Sequence, residues 1–152
     1  VSGGDGSTAQ GTEAAKTAFD RAGLILGGED GDGSGLSRAN LRSSRQWQQL
    51  LVWARDQPWF DQFDAALPIA GRTGTLSGRL TQASTFGNVR AKTGTIIGGR
   101  ALSGYLTLAG GEEAVFSIVV NGDSSHLALG LIDDFVRRLA AVQLLPAVVA
   151  VD

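Results

Sequence analysis

The sequence contains no cysteine and no methionine in 152 residues. Without thiols there is no disulfide framework, no zinc–thiolate site and no cysteine nucleophile. Lysine is scarce too: of 13 basic residues only Lys16 and Lys92 are lysines, and the rest are arginine. Each lysine therefore marks a place where a compact, rotatable point charge is used in preference to a planar fork. Histidine occurs once, at His126, and proline three times. An excess of one charge is also missing. The formal net charge is −2, which excludes the basic footprint of a nucleic-acid binder. No long apolar run exists either. The best stretch, Leu139 to Val151, is interrupted by Gln143 and Pro146, and it falls short of the roughly 20 apolar residues that cross a bilayer.

Hydrophobic residues make up 43% of the chain and charged ones 18%, a balance that supports a packed core rather than disorder. Val1 to Gly11 is rich in Gly, Ser and Thr and reads as a flexible arm, with Thr12 capping a helix through Ala22. Ser43 or Ser44 caps a second helix to Arg55, with Trp47, Leu50, Leu51 and Ala54 spaced for burial and Pro58 as a break. Val89 to Thr93 reads as a short strand. Ala101 to Leu108 and Ala114 to Val120 read as a hairpin closed by Gly110-Gly111. From Ser124 or Ser125 a last helix follows, with Leu127, Leu131, Phe135, Leu139 and Val142 as its apolar face. Helices, then strands, then a closing helix make an α+β pattern rather than repeated βαβ units.

Three motifs carry possible chemistry. Asp30-Gly-Asp-Gly-Ser-Gly35 opens like a calcium-binding loop, but its ninth position is Arg38 and its twelfth Leu41. A cation and an apolar residue stand where oxygen ligands belong, so a polar turn is expected and no metal. Gly35-Leu36-Ser37-Arg38-Ala39 approaches a nucleophile elbow without its final glycine, leaving open a Ser37/His126 hydrolase. Lys92-Thr93-Gly94-Thr95 is the Lys-Thr-Gly signature of penicillin-interacting serine enzymes. There a cation faces the catalytic hydroxyls and substrate carboxylate, and a hydroxyl donates to that carboxylate. The glycine leaves the strand edge clear, and the next backbone N–H can point at an oxyanion. Arg72-Thr-Gly-Thr75 nearly repeats it with arginine in the lysine's place, and reads as a decoy.

Four ordered blocks extend this: Asp32-Gly-Ser-Gly-Leu-Ser-Arg38 with Asn40, Gly74-Thr-Leu76 with Arg79-Leu80, Lys92-Thr-Gly-Thr95, and Leu102-Ser-Gly-Tyr105. Together they resemble the penicillin-binding-protein-4 type D-alanyl-D-alanine carboxypeptidases, peptidase family S13. The resemblance implies a β-lactamase/transpeptidase-like three-layer sandwich, an antiparallel sheet between helices. It also implies release of the terminal D-Ala from peptidoglycan stem peptides, acylation by β-lactams, no cofactor, and a place outside the cytoplasm. It makes Lys92, Thr93, Gly94 and Thr95 the third motif, with the Thr95 N–H in the oxyanion hole. Leu36 and Arg38 match positions lining the pocket for the stem peptide's diamino acid, and Ile96 and Ile97 flank it.

The family also uses Ser-x-x-Lys for its nucleophile and Ser-x-Asn. No serine of this chain has Lys three residues on or Asn two residues on. The resemblance therefore implies that residues 12–152 are the C-terminal portion of the catalytic domain. Its necessary partner is the N-terminal portion carrying those two motifs. A non-catalytic binding or interaction piece, with Lys92 as an ordinary surface cation, remains the reading of a different class.

Overall fold

The computed structural model describes residues 6–122 and 124–144. Helix α1 spans Thr8–Arg21 and is capped by Ser7, whose hydroxyl accepts from Gln10 N. The expected cap, Thr12, lies inside the helix instead, with its hydroxyl donating to Ala9 O at 3.0 Å. Thr8 to Gly11, expected within the arm, are therefore helical; Val1 to Asp5 lie outside the described residues. Helix α2 spans Ser44–Arg55 and starts on a full capping box, Ser43 with Gln46, which satisfies two otherwise orphaned N–H groups. It buries Leu51 and Ala54, but Trp47 is 41% exposed. A short helix α3, Phe60–Ala65, follows the break.

The strands are β1 Arg90–Ile96, β2 Gly99–Thr107 and β3 Glu113–Asn121. They form one antiparallel sheet in the order β1-β2-β3. The expected strand at Val89 thus starts one residue later, runs on to Ile96, and is itself half of a hairpin with β2. In the β2–β3 turn only Gly111 has positive φ, so one glycine of the pair meets the backbone requirement.

Residues directly opposite on the ladder share a face. Ala91, Leu102, Leu106 and Phe116 share one face and pack with Ala128, Ile132 and Val136 of helix α4, Ala128–Ala140. Ile132 and Val136 are almost wholly buried, each contributing about 1.5–3 kcal/mol. On the other face Tyr105 and Val115 pack with Leu51 of α2 and Phe60 and Phe63 of α3. Tyr105 donates its phenol to Leu51 O at 2.8 Å. Arg90 bonds both Asp64 and Glu113 at 2.7 Å, and Arg55 joins Glu113, tying both helices to the sheet. On the first face Arg79 pairs with Asp133 of α4 at 2.6 Å.

The last helix corrects an expectation. Ser125–Leu127 is a 3₁₀ turn, and the α-helix begins at Ala128. Its buried face is Ala128, Ile132, Val136 and Ala140; of the expected face only Leu139 packs, half-buried, against this core, while Leu127 is 68% exposed, Leu131 71% and Phe135 53%. Small and β-branched residues fit close to the sheet, and the larger stripe faces away from it.

Candidate functional site

The Lys-Thr-Gly segment lies on β1, whose far side carries no strand among the described residues apart from a bridge at Ile69–Arg90. Ala91 N donates outward, to Pro68 O at 3.0 Å. Alternation along an antiparallel strand then turns the Thr93 and Thr95 N–H and C=O groups outward as well. The segment Pro68 to Ala70 covers β1 only as far as Ala91, with Ala70 N donating to Val89 O. Beyond it no backbone bond from the described residues reaches the outer edge at Thr93 and Thr95.

Side chains alternate in the same way. Lys92 and Gly94 belong to the face that carries Tyr105 and α2, and Thr93 and Thr95 to the face that carries α4. Lys92 is exposed and its Nζ donates to Thr93 O at 2.8 Å. A Cβ on Gly94 would lie 3.1 Å from Ala101 Cβ, so this glycine answers to the neighbouring strand as well as to any ligand. Across the ladder from Lys92 stand Ser103 and then Ser117, whose hydroxyls are 2.9 Å apart.

Thr93 Oγ1 donates to Thr75 Oγ1 at 2.9 Å. Thr75 belongs to the 3₁₀ turn Gly74–Leu76, so the apparent decoy Arg72-Thr-Gly-Thr75 packs against the motif it imitates. Sequence reasoning missed this residue. Its traces in the sequence are the near-repeat itself and the Gly74-Thr-Leu76 block.

The pocket candidates occupy the loop before α2 and the β1–β2 turn. Asp32 organises the loop: its carboxylate accepts from Asn40 Nδ2, Ser34 Oγ, Gly35 N and Ser37 N. The Asn40 amide first, then the Ser34 hydroxyl, hold it below the usual carboxylate range. These interactions, with an Arg42–Asp30 ion pair, shape the loop from within. Ser37 Oγ accepts from Ala39 N at 3.2 Å, an internal role for the hydroxyl weighed as a nucleophile. Arg38 Nη2 donates to Ile97 O at 3.2 Å, joining this loop to the β1–β2 turn across 59 residues of sequence. Leu36 and Ile97 are 68% and 85% exposed, and Ile96 is half-buried. The structure thus brings Arg38 and Ile97 together at an open wall. No group of His, Asp or Glu side chains among the described residues could hold a metal ion, and no helix there is long and apolar enough to cross a membrane.

Residues 1–142 match the family described as D-Ala-D-Ala carboxypeptidase 3 (S13). The chain belongs to this family. It is 44% identical over 126 residues to the D-alanyl-D-alanine carboxypeptidase of Actinomadura sp. (strain R39), covering 80% of this chain and 22% of that protein. It is 35% identical over 136 residues to the D-alanyl-D-alanine carboxypeptidase DacB of Haemophilus influenzae, covering 88% and 28% respectively. The crystal structure of penicillin binding protein 4 (dacB) from Haemophilus influenzae, complexed with a β-lactam, is similar with a TM-score of 0.73 and 36% identity. It covers 78% of this chain and 28% of that one. This S13 chain therefore spans about a quarter of the length of such relatives, as an α+β portion similar in fold to part of penicillin binding protein 4.

Proposed function

We propose that this chain is the C-terminal portion, residues 12–152, of the catalytic domain of a serine-type D-alanyl-D-alanine carboxypeptidase. In the whole domain the sheet forms the middle layer of a three-layer sandwich. The nucleophile comes from an N-terminal portion carrying Ser-x-x-Lys and Ser-x-Asn, and this chain by itself is inactive. The observation that carries the reading is the open edge of β1, where the Thr95 N–H faces outward beside the Lys92 and Thr93 side chains.

In that setting the serine attacks the carbonyl of the penultimate D-Ala, the terminal D-Ala leaves, and water takes the acyl group. The Thr95 N–H, with that of the serine, receives the negative charge on the carbonyl oxygen. Lys92 reaches the catalytic hydroxyls as a cation, and Thr93 donates to the terminal carboxylate. Gly94 leaves room for the substrate to lie along the strand. Leu36, Arg38, Ile96 and Ile97 wall a pocket for the diamino acid side chain. A β-lactam follows the same path and stops at the acyl-enzyme. Peptidoglycan as substrate places the protein outside the cytoplasm.

The test is penicillin acylation of the longer protein. Lys92→Ala should lower its rate by about 10²–10³, the usual cost of removing one preorganised electrostatic group, with an unchanged melting temperature. Acylation at the wild-type rate in that variant refutes the assignment. So does covalent labelling of residues 1–152 alone, which have no serine followed by lysine at the required spacing.

A further inference from the structure

We propose that Thr75 is a positioning residue for the reaction: it fixes the Thr93 hydroxyl and donates to it when a substrate carboxylate takes the Thr93 proton. The inference rests on the reading of Lys92 to Thr95 given above.

Two features of the structure carry it. The first is the direct bond, Thr93 Oγ1 to Thr75 Oγ1 at 2.9 Å. The second is how firmly Thr75 is held from elsewhere. The next residue, Leu76, is fully buried. Gly71 N donates to both Leu76 O and Arg79 O at 2.9 and 3.0 Å. Ile69 N donates to Thr73 Oγ1 at 2.9 Å. Gly74 has φ +55° and sits against Pro68, where a Cβ would lie 3.1 Å from the ring. The same Pro68–Ala70 segment bonds β1. Turn and strand are thus one braced unit, which holds the backbone of Thr75 beside Thr93 while its side chain stays exposed.

A threonine hydroxyl has one proton and two lone pairs. In the free site the Thr93 proton points at Thr75. An arriving carboxylate accepts that proton in a charge-assisted bond stronger than a hydroxyl–hydroxyl one. Thr93 then has a lone pair turned toward Thr75, and the Thr75 hydroxyl can rotate to donate into it. A residue that only accepts, or neither accepts nor donates, would serve one state or none. Donation into Thr93 also polarises its O–H and keeps the side chain from turning away from the strand edge.

The experiment uses the longer protein with Thr75→Val, Thr75→Ala and Thr75→Ser, and Lys92→Ala as control. The readout is kcat/KM on a peptide ending in D-Ala-D-Ala and on the same peptide as its C-terminal amide. Thr75→Val and Thr75→Ala should each lower kcat/KM for the free carboxylate by about tenfold, the scale of one hydrogen bond. Thr75→Ser should restore it, and the amide should be turned over at the same low rate by all three. Full activity of Thr75→Val and Thr75→Ala beside an impaired Lys92→Ala overturns this inference alone. Equal losses on both substrates, or no rescue by serine, also overturn it, since the hydroxyl would then be serving the fold. An unimpaired Lys92→Ala overturns the site reading and this inference with it.

Discussion

Replacing Gly104 by alanine tests the sheet on which the site is built. Gly104 lies on β2 opposite Ala91, and a Cβ there would sit 2.1 Å from Arg90 O and 2.6 Å from Ala91 Cα. Both are backbone atoms, so no side chain can swing aside. Ordinary contact requires the strands to part by about 1 Å, against a normal spacing of about 4.8 Å. β1 has nowhere to move without loss, because Ala91 N is bonded to Pro68 O on its other side and Ala91 is fully buried. Two weakened ladder bonds at about 1 kcal/mol each, with overpacking of about 1–3 kcal/mol, give an expected loss of about 3–5 kcal/mol. Urea unfolding of Gly104→Ala and Gly78→Ala measures it. Gly78 has open space around it and no positive φ, so its variant should stay within about 0.5 kcal/mol of wild type. Penicillin acylation of Gly104→Ala should also fall, since Lys92 follows Ala91 directly. Equal stability of the two variants would show that the strand contact is not as close as described, and the reasoning would fail.

Burial first, with the Asp64 carboxylate as a smaller cause, pushes the Tyr105 phenol up to about 12. An unfolded tyrosine ionises near 10, so the stabilisation is whole below pH 10 and should be lost as pH rises to 12, by about 1.4 kcal/mol per pH unit; a wild-type minus Tyr105→Phe stability difference that does not change from pH 9 to 12 refutes it. Residues 1–152 alone should self-associate through Leu127, Leu131 and Phe135, and Leu131→Glu with Phe135→Glu should give a monomer in sedimentation; a monomeric parent chain refutes it. Arg38→Ala should lower turnover of a stem peptide with a free carboxylate on its third side chain by about 10- to 100-fold, the scale of a charged hydrogen bond. A peptide lacking that side chain should be nearly unaffected, and equal loss on both would leave Arg38 only its bond to Ile97 O.

Local signals were legible where they had no competitor. In sequence the cap of α2 narrows to Ser43 or Ser44, and the structure uses Ser43, in a capping box with Gln46. The α2 end, the β2–β3 hairpin and the α+β order follow from equally local patterns. Thr12 failed as a cap because Ser7 offers the same chemistry five residues earlier and the intervening residues continue the helix. The face of α4 was misread because two stripes of that helix are apolar, and size favours one while fit to the sheet favours the other. Thr75 escaped notice for a different reason. A hydroxyl contact between residues 18 apart in sequence has no periodicity to reveal it, and only the fold brings the two threonines together.

The two faces of the sheet call for different coverings, and this bears on how the site is completed. On the α4 side the exposed stripe is Leu and Phe, which an apolar helix can bury without cost to any polar group. On the Lys92 side the row is Lys92, Ser103 and Ser117, with the serines half-buried and bonded to each other. An apolar covering there would leave the Lys92 ammonium with a single carbonyl partner and one serine proton without an acceptor, at several kcal/mol for the charge alone. Whatever packs on that row must bring hydroxyls, amides or carbonyls of its own. The serine hydroxyls of Ser-x-x-Lys and Ser-x-Asn, and the asparagine amide, are groups of that kind. The groups absent from the proposed reaction and the groups needed to cover this face are therefore the same kind, and one N-terminal portion can supply both.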